Sequence, residues 1–270
     1  MKLQVLVDNS PGGNEGLMTE HGFALWMEVD GQQWLIDTGE SDAFAQNAAQ
    51  LGIDIADIDY LILSHGHRDH CGGLEAFLAL NSNAKIYLSA NIECNHYYST
   101  RRGVKRDISF NHSLIQNNSH RFIFVKHNIS LSHNVNIITT ITHNHPQPQA
   151  NATLLKNNSL DDFKHEIVIA VNTPCGVVII SPCSHNGVLN TLEACSHLGN
   201  ISHYIGGTHL VDDFERKNEL SALATTIKQQ YPTLALISGH CTGEGAKKVF
   251  NEVLKQNYIN FYTGFRLIFE

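Results

Sequence analysis

Residues 63–74 hold a dense group of side chains that bind metals. They include a His-x-His-x-Asp-His motif made of His65, His67, Asp69 and His70. The motif follows an apolar run typical of a buried strand, and residues two apart in extended backbone point to the same side. Asp69 and His70 stand where a helix is expected to begin, so they can face the same cavity from its other wall. Three imidazoles and one carboxylate suit zinc, with manganese or iron as alternatives, and the motif predicts a metal centre.

The elements around this motif alternate between strands and helices. Apolar alternation and turn residues predict a hairpin over 166–181 and strands at 2–8, 22–29, 32–37, 59–64, 84–89, 234–238 and 261–269. Capping residues and helical periodicity predict helices at 41–51, 70–80, 187–198, 218–230 and 244–256. This alternation predicts an α/β core.

The segment around 111–158 differs from the rest in being rich in Asn and His. Its histidines are His112, His120, His127, His133, His143 and His145. A histidine-rich metal store is one interpretation, but a polar surface insertion in a single domain spanning 1–270 is the expectation adopted. Short apolar runs at 121–125 and 134–141 within this segment are typical of strands.

Charge and composition restrict the kinds of partner. The chain has 18 Lys and Arg against 26 Asp and Glu, a net charge of −8, which argues against nucleic-acid binding because phosphates require clustered cations. A small anionic substrate at one local site is compatible with this balance. There is no apolar run long enough for a membrane span and no visible export signal, so a cytoplasmic location without membrane association is expected. The oligomeric state cannot be read from the sequence.

Six cysteines are scattered along the chain without a Cys-x-x-Cys pair. In a cytosolic chain of this size they are expected to be reduced thiols. We expect Cys94, Cys175 and Cys195 to be buried, whereas Cys71, Cys183 and Cys241 lie inside motifs and remain open.

Five stretches together resemble the metallo-β-lactamase superfamily over nearly the whole chain. Ile36-Asp37-Thr38-Gly39 resembles its Asp-Thr-Gly turn, and the histidine motif followed by Gly72-Gly73-Leu74 resembles its metal motif. More specific matches are the segments 182–187 (PCSHNG), 206–210 (GGTHL) and 239–243 (GHCTG). These three are similar to the branch named for 7,8-dihydropterin-6-yl-methyl-4-(β-D-ribofuranosyl)aminobenzene 5′-phosphate synthase.

The resemblance implies a four-layer αββα sandwich of two mixed β-sheets with a metal site at one edge. It also implies two sets of ligands. One metal would take His65, His67 and His185, and the second would take Asp69, His70 and His240. Two such ions share a hydroxide that acts as a nucleophile at neutral pH, which makes Asp69 a candidate catalytic residue as well as a ligand.

The chain departs from the superfamily pattern at one position. Most members place a bridging Asp at the end of a strand, but here the strand runs into Pro182-Cys183-Ser184-His185. His185 is expected to replace the third histidine, the bridging group, or both in part. Cys183 is either a thiolate ligand or a buried structural thiol, and the second interpretation is preferred here. Without a bridging carboxylate the second metal is expected to bind more weakly.

Two further residues have open roles. Asp37 is either a ligand or, as we prefer, a group that orients a ligand histidine. His209 follows two glycines and is either a catalytic group, through substrate contact or proton donation, or a core histidine.

The only basic run consists of Arg101, Arg102, Lys105 and Arg106. One interpretation is a solvated helix face, and the other is a clamp for a substrate phosphate.

These observations favour a cytosolic metal-dependent hydrolase that uses a metal-bound hydroxide on a small anionic ester, lactone or phosphoester. A pterin-transferring synthase, as the branch name implies, and a non-catalytic metal-bearing ligand sensor are the alternatives. A flavin-linked di-iron reductase is disfavoured because such proteins usually carry Glu where His67 stands.

Overall fold

Two seven-stranded sheets form the centre of the molecule in the computed structural model, which describes residues 1–13, 16–92 and 95–269. Strands and helices are numbered along the chain. In spatial order the first sheet consists of β18 (Arg266–Ile268), β1 (Lys2–Val7), β2 (Ala24–Val29), β3 (Gln32–Ile36), β4 (Tyr60–Ile62), β5 (Lys85–Ser89) and β8 (Phe122–Val125). The second consists of β17 (Tyr258–Asn260), β16 (Ala235–Ser238), β15 (Ile201–Gly206), β14 (Gly176–Ser181), β13 (Val168–Thr173), β10 (Val135–Ile138) and β9 (Ile129–Ser130).

Both sheets are mixed. In the first sheet β18, β1, β2 and β3 pair antiparallel, whereas β3, β4, β5 and β8 run parallel. In the second sheet β14 to β17 run parallel and β14, β13, β10 and β9 pair antiparallel. The parallel strands of each sheet therefore end on a common edge, and loops that follow them are brought together there.

The side chains of single strands alternate between two cores. In β14, Val178 and Ile180 pack between the sheets, whereas Val177 and Ile179 pack against helices. In β3, Leu35 likewise faces outward while Trp34 and Ile36 face inward. Because successive residues of a strand point to opposite faces, both faces of each sheet must be covered, and the αββα sandwich predicted from the resemblance is confirmed.

Helices cover the outer faces. The first sheet is covered by α1 (Ala43–Gln50) and α3 (Leu74–Leu80), and the second by α5 (Val188–Cys195), α6 (Lys217–Gln230) and α7 (Glu244–Leu254). Two shorter helices, α2 (Arg68–Cys71) and α4 (Ser113–Asn117), lie in loops. Within the described ranges, no helix combines the length and hydrophobicity that a membrane crossing requires.

The segment 111–158 contributes to both sheets as well as to the surface. Its apolar runs form β8 and β10, as predicted, and β10 is buried along its whole length. That part of the segment is therefore integral to the sandwich and is not the surface insertion that we expected. A third, small sheet adds β12 (Ser159–Leu160), β11 (Leu154–Lys156), β6 (Tyr97–Ser99) and β7 (Arg106–Asp107).

Three differences between the predicted elements and the structure concern the two large sheets and their helices. The expected helix 70–80 is divided into α2 and α3, where the N–H groups of Gly72 and Gly73 bond to the carbonyl oxygen of Gly39. The absence of side chains at 72 and 73 permits this close approach. The expected strand 261–269 is a turn followed by β18. Strand β15 was not predicted at all.

The cysteine expectations were partly correct. Cys195 is buried, but Cys175 is exposed because it lies in the tight turn between β13 and β14. Cys94 lies outside the described residues.

Candidate metal centre

The predicted site residues all follow the ends of strands on one edge of the sandwich. His65 and His67 follow β4 of the first sheet, whereas His185, His209 and His240 follow β14, β15 and β16 of the second. His209 and His240 have positive φ angles of 49°, as do Asp37 at 58° and Ser184 at 59°. Non-glycine residues rarely adopt this conformation, and such strain is concentrated at functional sites.

Three buried imidazoles, called the first trio here, converge on one point: His65, His67 and His185. Nε2 of His65 lies 3.1 Å from Nδ1 of His67 and 3.3 Å from Nε2 of His185. Tetrahedral zinc with nitrogen ligands at about 2.0–2.1 Å separates those nitrogens by about 3.3 Å. Burial, reinforced by the neighbouring imidazoles, holds the pKa of His65 and His185 well below the ordinary value and lowers that of His67 to about 3. The three rings are therefore neutral and present lone pairs, so they fit a metal ion.

A second trio, Asp69, His70 and His240, lies beside the first. Nε2 of His70 and Nε2 of His240 are 3.1 Å apart, and each lies 3.6 Å from Oδ2 of Asp69. Burial lowers the pKa of His70, but the carboxylates of Asp69 and Asp37 outweigh it and raise that pKa to about 9. Burial raises the pKa of Asp69, yet the imidazoles of His70, His21 and His240 hold it below its ordinary value. This trio offers a carboxylate and two imidazoles to a second ion.

The opposite ring nitrogens of four of these histidines are engaged by neighbouring oxygens. Nδ1 of His70 lies 2.7 Å from Asp37 Oδ2, and Nδ1 of His65 lies 2.9 Å from Ser64 Oγ. Ser64 in turn donates its hydroxyl to Asp37. The remaining pairs are His185 with Asn151 and His240 with Asn9. Such partners fix the tautomer that leaves the other ring nitrogen free for a metal. Asp37 holds His70 in this way, as expected for a residue that orients a ligand histidine.

The thiol of Cys183 lies inside the site. Its Sγ is 3.3 Å from Nδ1 of His209 and 3.2 Å from Sγ of Cys241, and it lies within 4.8 Å of one ring nitrogen of His65 and one of His70. It is buried and also lines the cavity, so the choice between a thiolate ligand and a structural thiol stays a prediction.

A cavity of about 230 Å³ opens above the two trios. His67, Asp69, His185 and His209 line it together with Arg101, Arg102 and Arg106, and we call these three arginines the arginine wall. His209 is therefore placed in the cavity, where Nη2 of Arg101 lies 3.3 Å from its Nε2. Burial, together with the charge of Arg101, holds the pKa of His209 well below its ordinary value, so the ring is neutral.

The basic run is not a helix face. Residues 101–104 form a turn and Arg106 begins β7. Lys105 points away from the cavity, with its ammonium 3.8 Å from the centre of the Tyr98 ring and bonded to Asn158. Three of the four cations therefore face the candidate metal centre.

Sequence reasoning missed the groups that support the trios. Asp161 lies behind His67, with Oδ2 4.0 Å from His67 Nε2 and 3.0 Å from His165 Nε2. Glu166 is buried and accepts the backbone N–H groups of His185 and Asn186. No spacing connects these residues with the motif, since they approach it only through the pairing of distant strands.

Comparisons with known proteins indicate which proteins this chain is similar to. A model of the metallo-β-lactamase superfamily matches residues 19–103. The 7,8-dihydropterin-6-methyl-4-(β-D-ribofuranosyl)-aminobenzene-5′-phosphate synthase of Methanocaldococcus jannaschii is 27% identical over 286 residues, which cover 98% of this chain and 95% of that protein.

Solved structures extend the comparison to the fold. The crystal structure of a metal-dependent hydrolase of the β-lactamase superfamily is similar with a TM-score of 0.83 and 27% identity, covering 100% of this chain and 99% of that one. The short form of human tRNase Z is similar with a TM-score of 0.56 and 13% identity, covering 99% of both chains, and indicates the fold alone. The matched residues 19–103 include the histidine motif, whereas the ligands contributed by the second sheet lie outside them.

Proposed function

Because the chain belongs to the metallo-β-lactamase superfamily, we propose that this metal-dependent enzyme is a hydrolase of a small anionic ester, lactone or phosphoester. The observation that supports this most is the pairing of two metal-binding trios with an arginine-lined cavity directly above them. When bound, divalent ions supply Lewis acidity and lower the pKa of water. The first trio would hold one ion and the second trio the other.

The arginine wall is suited to the anionic part of the substrate. Arg101, Arg102 and Arg106 present guanidinium groups, which bind carboxylates and phosphates in a bidentate manner. The whole chain is acidic, so this local concentration of cations opposes the general charge. His209 would contact the substrate as a neutral ring, since Arg101 occupies its Nε2 side.

The catalytic proposal is tested by turnover. Protein stripped with a chelator and reloaded with zinc is expected to hydrolyse a phosphomonoester, a phosphodiester or a lactone, and the stripped protein is not. Absence of turnover on all three classes, with bound zinc verified by elemental analysis, would favour the transferase or the sensor.

The anion-binding proposal has a matched control within the basic run. Arg102→Gln removes a cation from the cavity wall, whereas Lys105→Gln removes one that points away from it. A lost hydrogen bond to a charged group costs about 1.5–3 kcal/mol, so Arg102→Gln should raise KM for a phosphorylated ester about tenfold or more. KM for an uncharged ester should not change, and Lys105→Gln should alter neither. Equal effects of both substitutions would contradict a clamp.

A transferase is the second candidate. The Methanocaldococcus relative is named as the synthase of a compound that contains a dihydropterin and an aminobenzene ribofuranosyl phosphate. The arginine wall would then bind the ribofuranosyl phosphate. Incubation with that phosphate and a pterin diphosphate, followed by mass analysis of the products, tests this candidate. A joined product without hydrolysis of simple esters would replace the hydrolase proposal.

A further inference from the structure

One sulfur atom lies between the two trios. Sγ of Cys183 is within 4.8 Å of a ring nitrogen of His65 and of one of His185 in the first trio. It is also within 4.8 Å of a ring nitrogen of His70 and of one of His240 in the second trio. Around tetrahedral zinc, with sulfur at about 2.3 Å and nitrogen at about 2.0–2.1 Å, a ligand sulfur and nitrogen lie about 3.5 Å apart. Cys183 lies within 4.8 Å of ring nitrogens of both trios, so one sulfur is close to both candidate ion positions.

The contact with His209 identifies this sulfur as a hydrogen-bond acceptor. A guanidinium has only donors, so Arg101 Nη2 must donate to Nε2 of His209 across their 3.3 Å contact. The neutral His209 ring then carries its proton on Nδ1, which lies 3.3 Å from Cys183 Sγ. A cation therefore polarises an imidazole whose N–H is directed at the sulfur. Burial raises the pKa of the Cys183 thiol, and this N–H donor acts in the opposite direction by favouring negative charge on the sulfur.

The surrounding backbone holds the thiol at this point. Glu166 accepts the N–H groups of His185 and Asn186, which anchors the loop immediately after Cys183. On the other side, a Cβ on Gly207 would lie 2.6 Å from the carbonyl oxygen of Pro182 and would overlap Cys241 Sγ. The absence of a side chain at 207 lets the second thiol reach 3.2 Å from the first. The sulfur is therefore fixed at the centre of the site.

We propose that Cys183 binds as a thiolate shared by the two metal ions, in the place that a carboxylate occupies in most members of the superfamily. This inference rests on the metal centre of the proposed function. The thiol proton leaves when metal binds, since the thiolate is the ligand form of cysteine. The negative charge of the sulfur then compensates the two cations in the way that a bridging Asp would. Cys241 lies beside this sulfur, and the proposal does not make its thiol a metal ligand.

X-ray absorption of the zinc-loaded protein measures this directly. With two zinc ions bound, a shared sulfur gives one sulfur neighbour per zinc at about 2.3 Å. Two terminal thiolates, one on each ion, would give the same average, so Cys241→Ser is the matched control. If Cys183 is shared, Cys241→Ser keeps one sulfur per zinc and Cys183→Ser leaves none. If the thiolates are terminal, either substitution leaves half a sulfur per zinc, and the proposal is wrong.

Cobalt substitution provides a second readout. The thiolate-to-cobalt charge-transfer band of the wild type should disappear in Cys183→Ser and persist in Cys241→Ser. Cys183→Asp should restore binding of two ions without the band, because a carboxylate can bridge. In Cys183→Ser the weaker zinc should lose more than about tenfold in affinity, the lower limit for losing even an outer partner of a ligand.

These measurements need bound metal but no turnover, so the sulfur assignment and the hydrolase proposal can fail separately. If Cys183→Ser does not fold, Cys183→Asp and the wild type still decide the matter. A wild type that binds two zinc ions with no sulfur neighbour, or a charge-transfer band that disappears only in Cys241→Ser, would overturn the assignment.

Discussion

The first trio presents three neutral imidazoles, whereas the second combines a carboxylate with two imidazoles, one of which is protonated before metal binds. The second also reaches the rim of the cavity, since the Asp69 side chain is 18% exposed and lies 3.5 Å from the exposed ring of His21. The first trio is buried entirely. An ion in the second trio would therefore be more exposed to solvent than one in the first, although His67 and His185 also line the cavity. This is a second reason to expect that the ion in the second trio is the weaker one.

The two trios also differ in how their histidines are supported. Asp37 forms a 2.7 Å bond to His70 and binds Ser64 through both of its oxygens. Asp161 stands 4.0 Å from His67, too far for a hydrogen bond, and leaves Nε2 of that ring unpaired within the described residues. In the part of the chain that the structure describes, no carboxylate hydrogen-bonds the imidazole rings of the first trio, whose positions follow from burial and from their convergence. In the second trio, the Asp37 carboxylate orients His70.

The largest loss of metal affinity is expected when a ligand of the first trio is removed. His65→Ala should lose the tight ion and any activity, a loss of affinity greater than about 100-fold because it exceeds that of an outer partner. Asp69→Ala should lose only the weak ion. Elemental analysis after dialysis against a mild chelator distinguishes them. If Asp69→Ala released both ions, the two trios would not be separable sites.

Substituting Asp37 or Asp161, the carboxylates behind the ligand histidines, should reduce metal affinity by a smaller factor. Asp37→Asn should weaken the second ion by about 10–100-fold, since it removes the acceptor that orients His70. Asp161→Asn should weaken the first ion only a few-fold, because no hydrogen bond joins it to His67. Competition titrations with a chromophoric chelator measure both. Equal losses would mean that Asp161 approaches His67 once metal is bound.

Glu166 and Asp8 accept hydrogen bonds from the loops that follow the strands. Substituting them should change the free energy of unfolding more than it changes turnover. Glu166 accepts three N–H bonds from His185 and Asn186, and Asp8 accepts two, from His240 and Ser10. Glu166→Gln leaves buried donors without an acceptor and should lower the free energy of unfolding of the metal-free protein by about 1–3 kcal/mol. Asp8→Asn should cost less. Denaturant unfolding gives both values, and a larger loss for Asp8→Asn would reverse this ranking of the two residues.

The smallest effect is expected at the rim. His21 lies 3.5 Å from Asp69 but its side chain is 61% exposed. Pairs of this kind contribute about 0–1 kcal/mol, so His21→Ala should change the affinity of the second ion by less than about fivefold. Isothermal titration with zinc checks this. A change as large as that of Asp37→Asn would mean that His21 is itself a ligand.

The sequence by itself determined the α/β class, most strands and helices, and the motif from His65 to His70. These features are local, because alternation, capping residues and the spacing of neighbouring ligands are all read within a few residues. Where a prediction failed, a distant contact was responsible. The helix expected over 70–80 is interrupted because the backbone of residues 38–41 packs against Gly72 and Gly73. The residues after Tyr258–Asn260 turn because Thr263 bonds to Asp8 across the molecule.

Only the tertiary structure decided what surrounds the motif. Cys183, Arg101 and His209 meet in one chain of contacts although they lie up to 108 residues apart, and His70 meets His240 across 170 residues. The histidines and Cys183 meet because parallel strands of two sheets end on the same edge, and Arg101 reaches them from the turn between β6 and β7 of the small sheet. No pattern within one segment records which loops meet there. The surroundings of Cys183 show this most clearly. The local sequence is the same for a buried thiol in the core and for a thiol between two candidate metal sites. Only the residues that other strands bring next to it distinguish the two.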